Sequence, residues 1–265
     1  MNARILLTIA ALTIGSVHGF ANPTEKGWKS RPAIPEIQQQ SSSTTTPSER
    51  TPWDAVRFIK QSSKFINVNP FQPKTGTVVV QPGDVIWSAG GVNNKFSWSP
   101  LDDVVMGGAS ESNFDANTGI WSGTVTSANN GGFVGIRTSP SFALDMEQCQ
   151  GIELKLKGGN GRRFKFVVRD STDFNGVCWT SSFDAPKSGG GMFNIGFVGG
   201  KDSAKISFSK QVPTIFARTV PDQTFDLKNV VAFQLAYSKF EYDGDLNPNF
   251  ELGEFSLQVM EVKVY

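Results

Sequence analysis

The chain has 265 residues, 38 % of them apolar, and a formal net charge of +1, which allows one sizeable domain with extensions and gives little counterion-release drive for nucleic-acid binding. Its one histidine, His18, falls in a segment expected to be removed, which takes away Arg4 as well and leaves the remainder uncharged overall. A mature chain without histidine excludes a Ser-His-Asp or Cys-His mechanism and imidazole ligation of zinc.

Residues 1–19 read as a secretory signal peptide: Arg4, an apolar run from Ile5 to Val17, then small residues ending at Gly19. The run is shorter than the roughly 20 residues needed to span a bilayer. Cleavage there exposes Phe20, ahead of a Ser/Thr-rich stretch, and this order resembles the bipartite leaders of algae with secondary plastids. Residues 20–50 form a transit-like segment of low complexity, with Gln38–Gln40, Ser41–Ser43 and Thr44–Thr46 in succession, expected to be disordered because they bury too little apolar surface to offset chain entropy. Residues 51–77 are a helix and linker. Thr51 is placed to cap the helix, Pro52 suits its first turn, and Asp54 follows three residues after the cap. Trp53, Val56 and Ile59 share one helical face with Arg57 and Lys60 off it, so the helix either packs on the domain by that face or offers it to a partner or membrane surface.

From residue 78 to residue 265 the apolar period is two. Glycine is abundant (27) and Phe and Trp (21 and 6) outnumber Tyr (3), a balance that favours many turns over helices, where Gly costs about 1 kcal/mol against Ala. Alternation marks strands at Gly151–Lys157, Arg163–Arg169, Val231–Tyr237 and Phe255–Val259. Shorter candidates are Gly123–Ser127, Gly132–Thr138, Val177–Phe183, Met192–Phe197 and Ala204–Phe208. Turn chemistry separates them at Asn129–Gly132, Gly158–Gly161 (expected to be a hairpin turn), Ser188–Gly191 and Gly199–Gly200. Many short strands with one apolar face each must close on one another, which predicts an all-β, two-sheet, jelly-roll-like sandwich. Cys149 and Cys178 lack metal spacing and are either bridged or core-filling.

One segment is distinctive: Trp98-Ser99-Pro100-Leu101-Asp102-Asp103-Val104-Val105-Met106-Gly107-Gly108-Ala109-Ser110. It resembles the opening motif of the complex I intermediate-associated protein 30 family. Three more matches follow in order: Trp121-Ser122-Gly123, Gly131-Gly132-Phe133-Val134-Gly135-Ile136-Arg137, and Gly158 to Lys165 with its basic-aromatic strand; the closing strand Phe255–Tyr265 also fits. The resemblance covers about 95–265 and implies a galactose-binding-domain-like sandwich that assists assembly of respiratory complex I, or of photosynthetic complexes in plastid relatives. Its implied partners are protein subunits of an organellar membrane complex, with peripheral membrane association, no cofactor and no metal. The leader points to the plastid, with the mitochondrion as the alternative.

Several candidate residues have more than one reading. Asp102 and Asp103 are either an acid/base or metal-binding pair or, in a loop before Gly-Gly, acceptors for backbone amides. Gly107 and Gly108 are expected to take backbone angles that other residues avoid. Met106 either plugs the core or contacts a client, and Phe133 is expected in the core. Arg137 and Arg162 pair with Asp103, with an external carboxylate, or with surface acids. Asp243, Asp245, Asn247, Asn249 and Glu254 copy the oxygen spacing of a calcium loop, but Pro248 and the absence of flanking helices oppose it. A non-catalytic assembly factor is therefore expected. The alternatives are a carbohydrate-binding module using Trp87, Trp98, Trp121 and Trp179, or a carboxylate-only hydrolase using Asp102, Asp103, Asp170 and Asp173.

Overall fold

The structure is a computed structural model in which residues 54–63, 65, 76–138, 142–173, 175–187 and 202–265 are described. The signal and transit-like segments, Trp53, the strand expected at Met192–Phe197 and the turns at Ser188–Gly191 and Gly199–Gly200 lie outside these residues. Helix α1 (Ala55–Ser62) precedes fifteen described strands: β1 (Thr77–Val79), β2 (Val85–Ser88), β3 (Trp98–Pro100), β4 (Glu111–Asp115), β5 (Ile120–Val125), β6 (Phe133–Thr138), β7 (Ala143–Asp145), β8 (Gly151–Gly158), β9 (Arg163–Arg169), β10 (Cys178–Asp184), β11 (Ser203–Ser207), β12 (Val212–Ile215), β13 (Arg218–Thr219), β14 (Ala232–Ser238) and β15 (Gly253–Val264). Among the described helices none is long and apolar enough to cross a membrane.

One sheet has the order β13-β12-β10-β9-β14-β6-β3; the facing sheet has β11-β8-β15-β5-β4, with β2 also paired to β15. All pairings within these sheets are antiparallel. The chain changes sheet between β2 and β3, β3 and β4, β5 and β6, β8 and β9, β10 and β11, β11 and β12, and β14 and β15, which is the jelly-roll manner of closing two half-apolar sheets on each other. The two-sheet, jelly-roll-like sandwich expected from the alternation is what the chain forms.

Period two places Ile152, Leu154 and Leu156 of β8, Phe164, Phe166 and Val168 of β9, and Phe233, Leu235 and Tyr237 of β14 in the core. Aromatic rings join the sheets. Trp121 on β5 lies 5.9 Å from Phe164 and 4.9 Å from Phe255, centroid to centroid, and Tyr237 lies 5.1 Å from Phe164. A second cluster gathers Trp98 with Trp87 (6.5 Å), Phe96 (5.4 Å) and Phe114 (6.2 Å). Each ring burial is worth about 2–3 kcal/mol of removal from water. Trp87, Trp98, Trp121 and Trp179 are all buried, so none of them supplies the exposed platform that sugar binding was expected to use.

Three sequence expectations are corrected. Gly158–Gly161 is not a hairpin turn: β8 and β9 belong to opposite sheets, and the turn carries the chain across the sandwich. It does so with Gly158, Gly159, Asn160 and Gly161 all at positive φ, a run that glycine adopts without the Cβ clash. The helix is capped by Asp54, whose carboxylate accepts from Val56 N (3.0 Å) and Arg57 N (2.9 Å), rather than by Thr51. The helix also packs on the domain by its polar side, leaving Val56 75 % and Ile59 50 % exposed. Cys149, buried, and Cys178, half-buried, are free thiols.

Candidate functional site

The Trp98–Ser110 segment forms strand β3 and, after it, a tight 3-10 turn over Asp103–Met106. Asp102 and Asp103 are both buried there, and backbone amides and neighbouring side chains surround them. Asp102 accepts from Ser112 Oγ (2.6 Å) and Gly135 N (3.3 Å) on Oδ1, and from Ser112 N and Gln61 Nε2 (2.9 Å each) on Oδ2. Asp103 accepts from Ser110 N (2.9 Å) on Oδ1, and from Gly132 N (2.9 Å) and Phe133 N (3.3 Å) on Oδ2. Since Ser112 is on β4 of one sheet and Gly135 on β6 of the other, Asp102 ties the sheets together at their edge.

Two glycines of the motif exist to let Asp103 in. A Cβ on Gly108 would lie 2.2 Å from the Asp103 carboxylate carbon, and one on Gly131 would lie 2.4 Å from Oδ2. Of the two glycines expected to take backbone angles that other residues avoid, only Gly107 does: its φ of +92° is left-handed, with open space around its Cβ position, whereas Gly108 has no positive φ. Burial pushes the Asp102 carboxyl above its ordinary range, against the opposing pull of its hydrogen bonds from Ser112, Gln61 and Gly135. A carboxylate pair tied into backbone amides on every oxygen is a clasp, its acceptors committed within the fold. Among the described residues no three His, Cys, Asp or Glu gather as a metal cage.

The clasp also holds α1. Gln61 Nε2 donates to Asp102 and Gln61 Oε1 accepts from Asp102 N (2.9 Å), while an Arg57 guanidinium nitrogen donates to Ser110 O (2.7 Å) and lies 3.7 Å from Asp102 Oδ2. Neither Arg57 nor Gln61 was singled out from sequence; the apolar stripe of the helix drew attention to the opposite face. Met106, at the end of the 3-10 turn, is 64 % exposed, so it does not plug the core.

Strand β6 carries the rest of the motif outward. Val134 and Ile136 point into the core, so Phe133, Gly135 and Arg137 share the outer face of the seven-stranded sheet. Phe133 is half-buried there, not in the core as expected. A Cβ on Gly135 would meet Phe133 Cζ at 3.0 Å and Leu101 O at 2.9 Å, so glycine lets the ring and the β3 edge approach. Arg137 is buried, and burial together with the neighbouring Arg169 lowers its guanidinium to about 10. The Phe65 ring covers it, with Arg137 Cζ 5.5 Å from the ring centroid.

The remaining predicted residues are elsewhere. Arg162 pairs with Glu251 (2.9 Å), donates to Glu254 O (2.7 Å) and lies over the Tyr237 ring, far in sequence and topology from Asp103. Asp170 accepts from Trp179 Nε1 (2.9 Å) and Asp226 N (3.0 Å), and the Asp173 carboxylate accepts from Asn175 N (3.0 Å). In the loop with calcium-like spacing, Asp243 grips Thr219 through both oxygens, and Asn247 donates to Arg163 O and Ser238 O.

Residues 90–259 match the model of complex I intermediate-associated protein 30. No curated protein matches the sequence. Similar solved structures include the family 11 carbohydrate-binding module of a cellulosomal cellulase of Clostridium thermocellum, 16 % identical, with TM-score 0.43 and 70 % of this chain and 96 % of that chain covered. A solution structure of CtCBM11 is 18 % identical, with TM-score 0.30 and 63 % and 95 % covered.

Proposed function

Since the chain belongs to the complex I intermediate-associated protein 30 family, we propose that it is a non-catalytic assembly factor for a membrane-bound electron-transfer complex, respiratory complex I or a plastid photosynthetic complex. The family match carries this reading. The geometry supports it, because the two aspartates at the heart of the motif hold backbone amides and a docked helix instead of facing a cleft. Around the motif the exposed apolar side chains are Met106 and, on α1, Val56 and Ile59. Surfaces of that composition suit contact with protein subunits more than chemistry on a small molecule.

The leader supports a plastid client, with its short apolar block, Phe20 and the Ser/Thr-rich stretch; a mitochondrial client is the alternative. Peripheral contact with the membrane would follow from the site of assembly. The test is purification of a C-terminally tagged chain from its native cell, with subunits identified by mass spectrometry. Subunits of a photosynthetic or respiratory electron-transfer complex are expected. Recovery of none from solubilised membranes would contradict the reading.

A further inference from the structure

Helix α1 is docked in reverse of the usual amphipathic arrangement, and its partners explain why. A short helix on a domain surface ordinarily buries its apolar stripe and leaves its polar side to water. Here the domain offers a buried carboxylate instead. Gln61 makes two hydrogen bonds to Asp102, and Arg57 donates to Ser110 O. These bonds fix the orientation of the helix as well as its place, so Val56 and Ile59 are held outward. The Asp103–Met106 turn packs on α1 and adds Met106; all three side chains are at least half exposed.

The size of this face limits what can cover it. The three side chains together expose roughly 300 Å² of apolar surface. That is under half of the roughly 800 Å² that each partner buries in a stable protein interface. One turn of a helix and a neighbouring side chain also form a convex surface, for which a protein partner needs a matching hollow and further contact area. A bilayer needs neither, because acyl chains close around an apolar face of any shape that enters the headgroup boundary.

The charge beside the stripe suits the same occupant. Residues 50–64 carry four basic residues, Arg50, Arg57, Lys60 and Lys64, against one acid, Asp54, in a chain of net charge +1. Asp54 is engaged in capping the helix, and Lys60 is exposed next to Ile59. Each basic residue near an anionic membrane surface strengthens binding about fivefold.

We propose that the outward face of α1, with Met106 beside it, is a foothold on an anionic lipid surface. The face, its orientation and its charge stand on the geometry above; that the surface is the membrane holding the client rests on the proposed function.

The test uses the full chain with vesicles of phosphatidylcholine, alone or mixed with phosphatidylglycerol. Residues 1–19 include an apolar run that can bind lipid unaided, so the readout is local: the rate at which peroxide converts Met106 to its sulfoxide, followed by mass spectrometry. Vesicles containing phosphatidylglycerol should slow that oxidation several-fold, and phosphatidylcholine alone should slow it less. The double variant Val56→Ser/Ile59→Ser, changed only at exposed positions, should keep the unfolding midpoint and lose the protection. Absence of protection in the wild-type chain, or equal protection of the double variant, would overturn the foothold. Capture of electron-transfer subunits by the wild-type chain is scored separately. If vesicles protect Met106 as expected and no subunits are captured, the foothold stands and the assembly reading falls. If subunits are captured while vesicles leave Met106 unprotected, the face belongs to a protein partner and the foothold falls.

Discussion

Gly108 lies so close to Asp103 that a Cβ at position 108 would sit 2.2 Å from the carboxylate carbon. The pair explains why a buried aspartate and a Gly-Gly step occur together: the acid enters a space that any side chain at 108 would fill. Gly107→Ala and Gly108→Ala should therefore fail for different reasons. At 107 alanine meets no atom and loses about 1–2 kcal/mol to the left-handed backbone. At 108 it must push Asp103 out of place, losing about 1–3 kcal/mol from steric crowding in addition to any hydrogen bond that breaks. Urea unfolding of the two variants, with Gly108→Ala the less stable, checks this.

Asp103→Ala removes the acceptor of three backbone amides, those of Ser110, Gly132 and Phe133. At about 1–3 kcal/mol for each orphaned donor, the loss should be about 3 kcal/mol or more. A loss under about 1 kcal/mol in chemical denaturation would show that the clasp is not a structural element.

Gln61→Ala should release α1 without melting the sandwich. Alanine favours the helix itself, so any loss comes from the two hydrogen bonds to Asp102. Hydrogen exchange over residues 55–62 should quicken by about tenfold or more, with the midpoint of global unfolding little changed. Unaltered exchange there would mean that the helix is held by other contacts.

Asp102 makes a prediction about pH. Burial raises its carboxyl in the folded chain above the ordinary value of 3.8, so the folded state holds the proton more tightly than the unfolded one. Its contribution is fully present below the unfolded value and is lost as pH rises through the folded one. The stability gap between wild type and Asp102→Asn should narrow as pH rises above about 4. A gap that widens would show that the hydrogen bonds and Arg57 outweigh burial.

Met106→Ser tests the surface without disturbing the core. With Met106 64 % exposed, stability should change by less than about 0.5 kcal/mol, while recovery of client subunits in a pull-down should fall several-fold. Unchanged recovery would remove Met106 from the contact surface.

Much of this was legible from residue order. Arg163–Arg169 alternates cleanly, and β9 has those bounds; an Asp pair before Gly-Gly implied amide acceptors, and the carboxylates are that. What sequence hides is which sheet a strand joins. Gly158–Gly161 looks the same whether it closes a hairpin or crosses a sandwich, because apolar alternation marks the buried side and not the partner. Strands such as Thr77–Val79 and Ala143–Asp145 are too short to show a period. The chemistry of Phe133 suggests the core, although its parity with Arg137 puts both on one face. The helix misled for a related reason: its periodic apolar stripe suggested the packed side, while two polar residues with a buried carboxylate as partner fixed the other. Phe65 had no pattern to announce it, since its partner Arg137 is 72 positions along the chain.

The most direct test of an assembly role is loss of the chain in its native cell, followed by native-gel separation of the organellar membrane complexes. The account predicts that one electron-transfer complex fails to accumulate while partly built intermediates persist, and that Asp103→Ala does not restore it. Full accumulation of every such complex without the chain would contradict the account.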